Sequence, residues 1–383
     1  MDFELDEEQV ALRDAVRGLL GRTYDDFETR RRTAAGDRGY DEGVWTGMAE
    51  MGLLGLPFAE DDGGLGAGWL EVGLVAEQIG RVVAPEPYLA AVVLAGGLVA
   101  TVGDAEQRAT VLGALSAGES LPTLAHAEPG SRWGSAAHGV RAVADGDAWR
   151  LDGVKEPVPW GAEADVLVVS AALPDGGTGL FLLEAGAEGV TRSGFRTTDG
   201  GRAARVRLDG ATATPLGEAG ADRSSEIAAA YDLTRVVAAQ QAVGAMAAAL
   251  ESTSGYLSSR RQFGVPLKTF QALTFRAADM YVALELARSL ALWALMVHAD
   301  PEQDAASRSA AATRAWAQVA KAGRHLGQEA IQLHGGIGMT AEYAVGTYAA
   351  HLTALDQLLG DARHHVGVLA RDVGGHGVLD PLG

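Results

Sequence analysis

Apolar residues recur with helical spacing in the first third of the chain. One face of a predicted helix carries Leu12, Val16, Leu19 and Leu20, at i, i+4, i+7 and i+8. Asp6, followed three residues later by Gln9, predicts an N-cap with a reciprocal partner. The uncharged apolar stretch Tyr88 to Gly103 is shorter than the roughly 20 residues of a membrane span. It is therefore predicted to be a buried core helix.

The pattern changes to short strands in the middle of the chain. Val140 to Ala144 and Trp149 to Val154 flank Asp145-Gly146-Asp147, which predicts a hairpin. Further predicted strands, between turns rich in Gly, Pro and Asp, are Val166 to Ser170, Gly179 to Leu183 and Ala204 to Leu208. Short strands at this spacing indicate a small β-barrel or sandwich.

Helical spacing returns after residue 223, in long segments. The predicted helices are Ile227 to Ser259, Thr269 to His298, Ala305 to Leu333 and Ala341 to Val373. Four long helices with short breaks indicate an antiparallel bundle. We therefore predict an N-terminal helical domain (1–119), a middle β domain (120–223) and a C-terminal four-helix bundle (224–383).

Composition narrows the classes of function. The 383 residues carry a formal net charge of −19, which argues against a nucleic-acid partner. A local arginine or a helix N-terminus can still bind a phosphate. No cysteine is present, which excludes disulfides and cysteine-ligated metals. The acidic start has no signal-peptide pattern, so we expect a cytoplasmic protein without membrane association.

Several common motifs do not occur. There is no GxGxxG in a strand–turn–helix setting, no GxxxxGK[ST] loop and no GxSxG elbow. His364 and His365 lie near Asp361, but neighbouring residues on a helix point about 100° apart. A polar helix face is the favoured interpretation, and no metal site is predicted.

Two segments of the predicted bundle resemble motifs of the acyl-CoA dehydrogenase family. The first is Arg260-Arg261-Gln262-Phe263-Gly264-Val265-Pro266 with Gln271, similar to R-x-x-F-G-x-P…Q. The second, Gln332 to Tyr343, is similar to Q-x-x-G-G-x-G-x-x-x-E-Y. Weaker matches are Asp2-Phe3-Glu4-Leu5, Met51 to Pro57, Glu128-Pro129-Gly130 and Leu151 to Lys155. The pattern is most similar to the small subunits of heteromeric, pimeloyl-CoA dehydrogenase-like members.

The resemblance implies an α+β, mainly helical fold with a middle β-barrel. It implies FAD-dependent α,β-dehydrogenation of an acyl-CoA thioester in fatty-acid or sterol side-chain β-oxidation, with an electron-transfer flavoprotein or similar acceptor. It also implies a tetramer and contacts to the FAD diphosphate and adenine from Arg260, Gln262, Phe263, Gln271, Gln332, Gly335 and Gly336. These residue types suit that task, because arginine pairs with phosphate and glycine lets a ligand approach the backbone.

The chain departs from the family pattern where the catalytic base is expected. The usual glutamate position is occupied by Leu359, before Gly360, and the alternative position by Thr234. Neither side chain is a base for a carbon acid at neutral pH. Asp356, one helical turn before Leu359, is the candidate replacement base.

The β domain departs as well. Ala127 precedes Glu128-Pro129 where the family has threonine, and Arg132-Trp133 replace a Gly-Ser pair. Pro157-Val158-Pro159-Trp160 stand where the family has W-I-T-N, and prolines lack the N–H donors that a flavin ring would use.

Four functional hypotheses follow. The leading one is a heteromer subunit that lacks the base and supplies the FAD diphosphate half-site to a second acyl-CoA dehydrogenase chain. The second is a homotetrameric dehydrogenase that uses Asp356. The third is a non-catalytic scaffold or acyl-CoA-binding subunit, and the fourth is a flavin-dependent monooxygenase or oxidase.

Overall fold

The N-terminal region is helical. The computed structural model describes residues 5–146, 148–340, 343–371 and 373–375. The first helices are α1 (Glu7–Tyr24), α2 (Phe27–Ala35), α3 (Glu42–Glu50), α4 (Trp69–Val82), α5 (Gly97–Val102) and α6 (Ala105–Ser116). A 3-10 turn (Glu60–Asp62) precedes α4, and a π-helical segment (Leu89–Gly96) runs directly into α5.

Helix α1 begins as predicted. The Asp6 carboxylate accepts the backbone N–H of Gln9 at 2.8 Å, and the Asp6 N–H donates to the Gln9 side chain at 3.3 Å. Val16 and Leu20 are buried, while Leu12 and Leu19 pack against the same core. The capping box and the apolar face are both confirmed.

The predicted core helix between Tyr88 and Gly103 is also confirmed. Its residues from Ala91 to Val99 are buried. They share one cluster with Leu124 of the first strand and Ile227 of the first bundle helix. The three regions of the chain therefore meet in a common core.

The middle region is a closed barrel. Its strands are β1 (Pro122–Ala125), β2 (Arg141–Asp145), β3 (Ala148–Pro159), β4 (Val166–Ala172), β5 (Thr178–Glu184), β6 (Val190–Arg196) and β7 (Arg202–Pro215). The order β4-β2-β3-β7-β5 closes on itself because β5 pairs with β4. β1 runs parallel beside β4 and β6 pairs with β7. The predicted hairpin is β2–β3, and Asp147 lies outside the described residues.

The C-terminal region is a bundle of long helices. They are α7 (Ser224–Ser259), α8 (Gln271–Ala299), α9 (Ala305–His334), α10 (Val345–Leu359) and α11 (Ala362–Arg371). A hairpin of β8 (Arg261–Gln262) and β9 (Val265–Pro266) links α7 to α8. Short 3-10 segments are Leu267–Thr269, Gly335–Met339 and Val373–Gly375.

The prediction of a single helix from Ala341 to Val373 is wrong. The chain turns at Gly360, with φ +99° and ψ 127°, and a new helix starts. The Asp361 carboxylate caps α11 by accepting the backbone N–H of His364 at 2.8 Å. Helical periodicity continues through this break and therefore does not indicate it. Ala341 and Glu342 lie outside the described residues, as do Asp2-Phe3-Glu4 of the N-terminal motif.

Two bundle helices are long and apolar enough to cross a membrane by length and composition alone. The apolar window of α7 is 83% buried, as in the core helix of a globular fold, but that of α8 is only 39% buried. Phe275, Val282 and Leu286 form an exposed stripe along α8. The cytoplasmic location and the boundaries at 119/120 and 223/224 stay predictions.

Candidate functional site

The two motif segments meet at one end of the bundle. Tyr256, in the last turn of α7, stacks on His334, the last residue of α9, with ring centroids 4.6 Å apart. Tyr343 packs against both rings. Arg260 follows Tyr256 by one turn and Gly335 follows His334, so the aromatic contact brings the motifs together. One hint of this contact is present in the sequence, because Tyr256 precedes the first motif by four residues and His334 lies within the second.

The first motif folds as a tight hairpin. Gln262 pairs with Val265, and the two loop residues, Phe263 and Gly264, have φ of +51° and +83°. Two positive φ angles are typical of a type I′ turn, which glycine accepts easily and a bulky residue does not. The turn presents Phe263 to solvent, where it is 92% exposed.

The second motif leaves an open surface. Gly335 has φ +67° and ψ −142°, a conformation largely restricted to glycine. A Cβ added at Gly335 or Gly336 would meet nothing within 4 Å. Gln332 is exposed on α9, and Gln271 is the first residue of α8. The seven residues predicted to contact FAD are thus all exposed at or next to these motif segments, and their role stays a prediction.

Leu359, at the position expected for the catalytic base, is held by several contacts. Leu359 is fully buried, and its carbonyl accepts the Nε–H of Arg235 at 2.8 Å. His365 Nε2 lies 3.1 Å from the same carbonyl. Asp232 pairs with Arg235 at 2.7 Å and orients it. This clamp joins residues far apart in the chain, and sequence reasoning did not find it.

Thr234, at the alternative position of the base, and Asp356, the candidate replacement, differ in their surroundings. The Thr234 hydroxyl donates to the Ala230 carbonyl within its own helix at 2.7 Å. Asp356 is 5% exposed, and its Oδ2 lies 3.3 Å from an Arg324 guanidinium nitrogen. Burial raises the pKa of Asp356, and Arg324 opposes the rise. Its role as base stays a prediction, and these contacts favour a structural role.

A cavity of about 420 Å³ lies between the barrel and α10. Its walls include Leu94, His126, Ala127, Trp133, Pro157, Pro159, Tyr231, Gln357 and Leu358. Trp133 has φ +56°, donates its indole N–H to the Gln357 carbonyl at 3.0 Å, and packs on His364. The loop that carries Trp133 is therefore tied to α10 beside the cavity.

None of the described residues lining this cavity is an aspartate or glutamate. Burial lowers the pKa of His126 to about 4, and its two ring nitrogens contact the Ser170 hydroxyl and the Gly134 carbonyl. Burial raises the pKa of Tyr231 to about 12. The described lining therefore offers no general base suited to neutral pH.

A buried ion pair holds the start of the loop that carries Trp133. Lys155 Nζ lies 2.7 Å from Glu128 and also donates to Ser170. Burial lowers the pKa of Lys155 to about 8, although the Glu128 carboxylate opposes this. Glu128 also accepts the backbone N–H groups of residues 138 to 140. Two of the weaker motif matches thus form a structural pair.

The described residues contain no group of three or more His, Asp or Glu side chains that could hold a metal ion. His364 and His365 instead pack ring against ring, at 5.0 Å. His365 is held by the Leu359 carbonyl, and burial lowers its pKa to about 4.

Comparisons with known proteins identify the family. Residues 6–119 match the acyl-CoA dehydrogenase N-terminal domain, and residues 226–374 match the C-terminal domain. Probable acyl-CoA dehydrogenase YngJ of Bacillus subtilis is 28% identical, over 90% of this chain and 92% of the relative.

Two solved structures are also similar. A variant of the Tcur3481-Tcur3483 steroid ACAD has a TM-score of 0.86 and 33% identity, covering 96% of this chain and 98% of the other. The ChsE4-ChsE5 complex from Mycobacterium tuberculosis has a TM-score of 0.87 and 26% identity, covering 99% and 100%. The chain therefore belongs to the acyl-CoA dehydrogenase family, whose members depend on FAD.

Proposed function

We propose that this chain is the subunit of a heteromeric acyl-CoA dehydrogenase that lacks the catalytic base and supplies the FAD diphosphate half-site to its partner. The observation that carries the proposal is the clamped Leu359. Its backbone is held by Arg235, and the neighbouring cavity has no carboxylate among its described lining residues. A partner chain would provide both the base and the wall around the flavin ring.

The residues of the half-site suit the diphosphate of FAD. Arg260 and Gln262 are exposed beside a surface that Gly335 and Gly336 keep open. The α8 N-terminus beside Gln271 adds a positive dipole end, which favours an anion. Bound FAD would supply the acceptor for the hydride that leaves the acyl chain. The residues of this chain would hold its phosphates.

The ring pocket of the same chain does not suit a flavin. Pro157 and Pro159 have no N–H to donate to ring oxygens or nitrogens. Trp133 stands where the resemblance places a small Gly-Ser pair, and its indole is bonded to α10. The half-site is open, whereas the wall of the ring pocket is unsuited to a flavin. This contrast supports an FAD site shared by two chains, one binding the diphosphate and the other the flavin ring.

Exposed apolar surface supports an assembly at the same place. The α8 stripe of Phe275, Val282 and Leu286 begins one turn after Gln271. Phe263 in the first motif and Met339 in the second are also exposed. Contiguous apolar surface of this kind marks protein interfaces. We propose that the partner covers it and that the half-site lies at the subunit boundary.

The names of two similar structures agree with this proposal, since each names two chains: ChsE4-ChsE5 and Tcur3481-Tcur3483. The second is called a steroid enzyme, which favours a bulky acyl-CoA thioester as substrate here. Reoxidation of the flavin by an electron-transfer flavoprotein or similar acceptor remains part of the proposal.

The test is co-expression with a second acyl-CoA dehydrogenase chain that carries the catalytic glutamate. Arg260→Ala should weaken FAD retention by the complex roughly ten- to a hundredfold, since a charge-assisted hydrogen bond contributes about 1.5–3 kcal/mol. Arg314→Ala is the matched control, an exposed bundle arginine outside both motifs. Equal FAD content in the Arg260 variant and the control would contradict the proposal.

A further inference from the structure

A groove of about 690 Å³ lies outside both the half-site and the ring cavity. It runs between α1, α4, α7 and the start of α10. Arg17 and Arg22 line it from α1, Gln78 and Arg81 from α4, and Tyr348 from α10. No part of the proposed dehydrogenase chemistry uses these residues.

The groove contains a buried donor without an acceptor. Gln78 is 2% exposed, and its Oε1 accepts the Nε–H of Arg17 at 3.0 Å. Because arginine only donates, this bond fixes which end of the amide is the oxygen. The Gln78 Nε2 group has no partner among the described residues. A buried unpaired N–H is costly, so a ligand that brings an acceptor oxygen would be stabilised there.

The charges around the groove favour an anion. Arg81 is neutralised by Glu251 at 2.8 Å. Arg17 and Arg22 have no acidic partner among the described residues, in a chain whose net charge is −19. Asp25 is the other acidic residue in the lining. Two unpaired guanidinium groups beside an amide N–H match the oxygens of a phosphate.

The groove also has space for an organic group. Gly18 lies on its α1 wall, and a Cβ added there would meet nothing within 4 Å. The aromatic residues Tyr24, Phe27 and Tyr348 contribute flat apolar surface. We propose that the groove binds a small organic phosphate, with the phosphate against Arg17, Arg22 and the Gln78 amide.

Titration calorimetry of the whole chain tests this site with AMP, inorganic phosphate and pyrophosphate as probes. AMP should bind saturably, and Arg17→Ala should weaken it roughly ten- to a hundredfold. Arg13→Ala is the matched control, one turn earlier on α1 and paired with Asp14 outside the groove. Absence of saturable binding by every probe, or equal binding by the Arg17 variant and the control, would overturn the inference.

A second pair of variants guards against misfolding. Gly18→Glu places a carboxylate in the open groove, and glutamate favours a helix more than glycine does. It should abolish AMP binding without lowering the thermal midpoint, whereas Gly18→Ala should keep binding. Wild-type affinity in the Gly18→Glu variant would refute the site.

Arg260→Ala separates this inference from the proposed function. Binding in the groove should be unchanged in that variant. Loss of AMP binding in Arg260→Ala, but not in Arg17→Ala, would locate the phosphate in the FAD half-site. That outcome would reject the groove while leaving the proposed function standing.

Discussion

The buried carboxyl of Glu86 makes the stability of the fold depend on pH. The substitution Glu86→Gln should remove this dependence. Glu86 follows α4 and is 6% exposed. Its Oε1 accepts the Tyr24 hydroxyl and the Asp41 N–H, while Oε2 has no partner among the described residues. Burial raises the pKa of Glu86 from 4.5 to about 7, although the Tyr24 hydrogen bond opposes this.

The direction of the effect follows from the raised pKa. The folded state holds the proton more tightly than the unfolded chain, so this stabilisation is complete below pH 4.5. It is lost as the pH rises through about 7. The difference between a pKa of 4.5 and one of about 7 corresponds to about 3 kcal/mol. Near pH 5.8, unfolding should release about 0.9 proton from this group.

Glu86→Gln keeps the shape of the side chain and removes its titration. Proton release on urea unfolding near pH 5.8 should therefore be about 0.9 proton larger for the wild type than for the variant. This measurement does not require two-state unfolding, which a chain of three regions need not show. Equal proton release by the two proteins would refute the raised pKa.

Three further substitutions, two of them with a control variant, test other contacts. Lys155→Met leaves Glu128 buried without its cation, at a cost of about 3–5 kcal/mol, whereas Arg150→Met removes an exposed pair worth at most about 1 kcal/mol. The urea midpoint of barrel unfolding should therefore fall much further in Lys155→Met, and equal midpoints would contradict the burial argument. Asp356→Asn should leave the activity of the two-chain complex nearly unchanged, and a loss of about 10²-fold or more would identify it as the base. Gly335→Ala should reduce stability by about 1–3 kcal/mol because of its backbone conformation, while Gly336→Ala should be neutral in the same unfolding assay.

Local signals in the sequence predicted much of the fold. The Asp6–Gln9 box and the β2–β3 hairpin depend on residues a few positions apart, so they could be found without coordinates. β1 was missed because its four residues are all buried and show no alternation. β6 was missed because it is mostly exposed and, among the described strands, pairs with β7 alone. The break at Gly360 depends on backbone angles that periodicity does not report.

Some features of the candidate site could likewise be predicted from the sequence, and others could not. The two motifs could be recognised one by one, and Tyr256 against His334 is the contact that joins them. The Arg235 clamp on Leu359 and the Trp133 bond to α10 depend on residues more than a hundred positions apart. Such contacts follow from tertiary packing, which the sequence pattern alone does not describe. The Arg324 partner of Asp356 was hidden for the same reason.

The most direct test of the account is the flavin content of the purified chain, alone and with its partner, from the visible absorbance spectrum. We expect the chain to be colourless when it is expressed alone. We expect a yellow, active complex once the second acyl-CoA dehydrogenase chain is present. A yellow homotetramer that oxidises acyl-CoA without any partner would contradict the division of the FAD site between two chains.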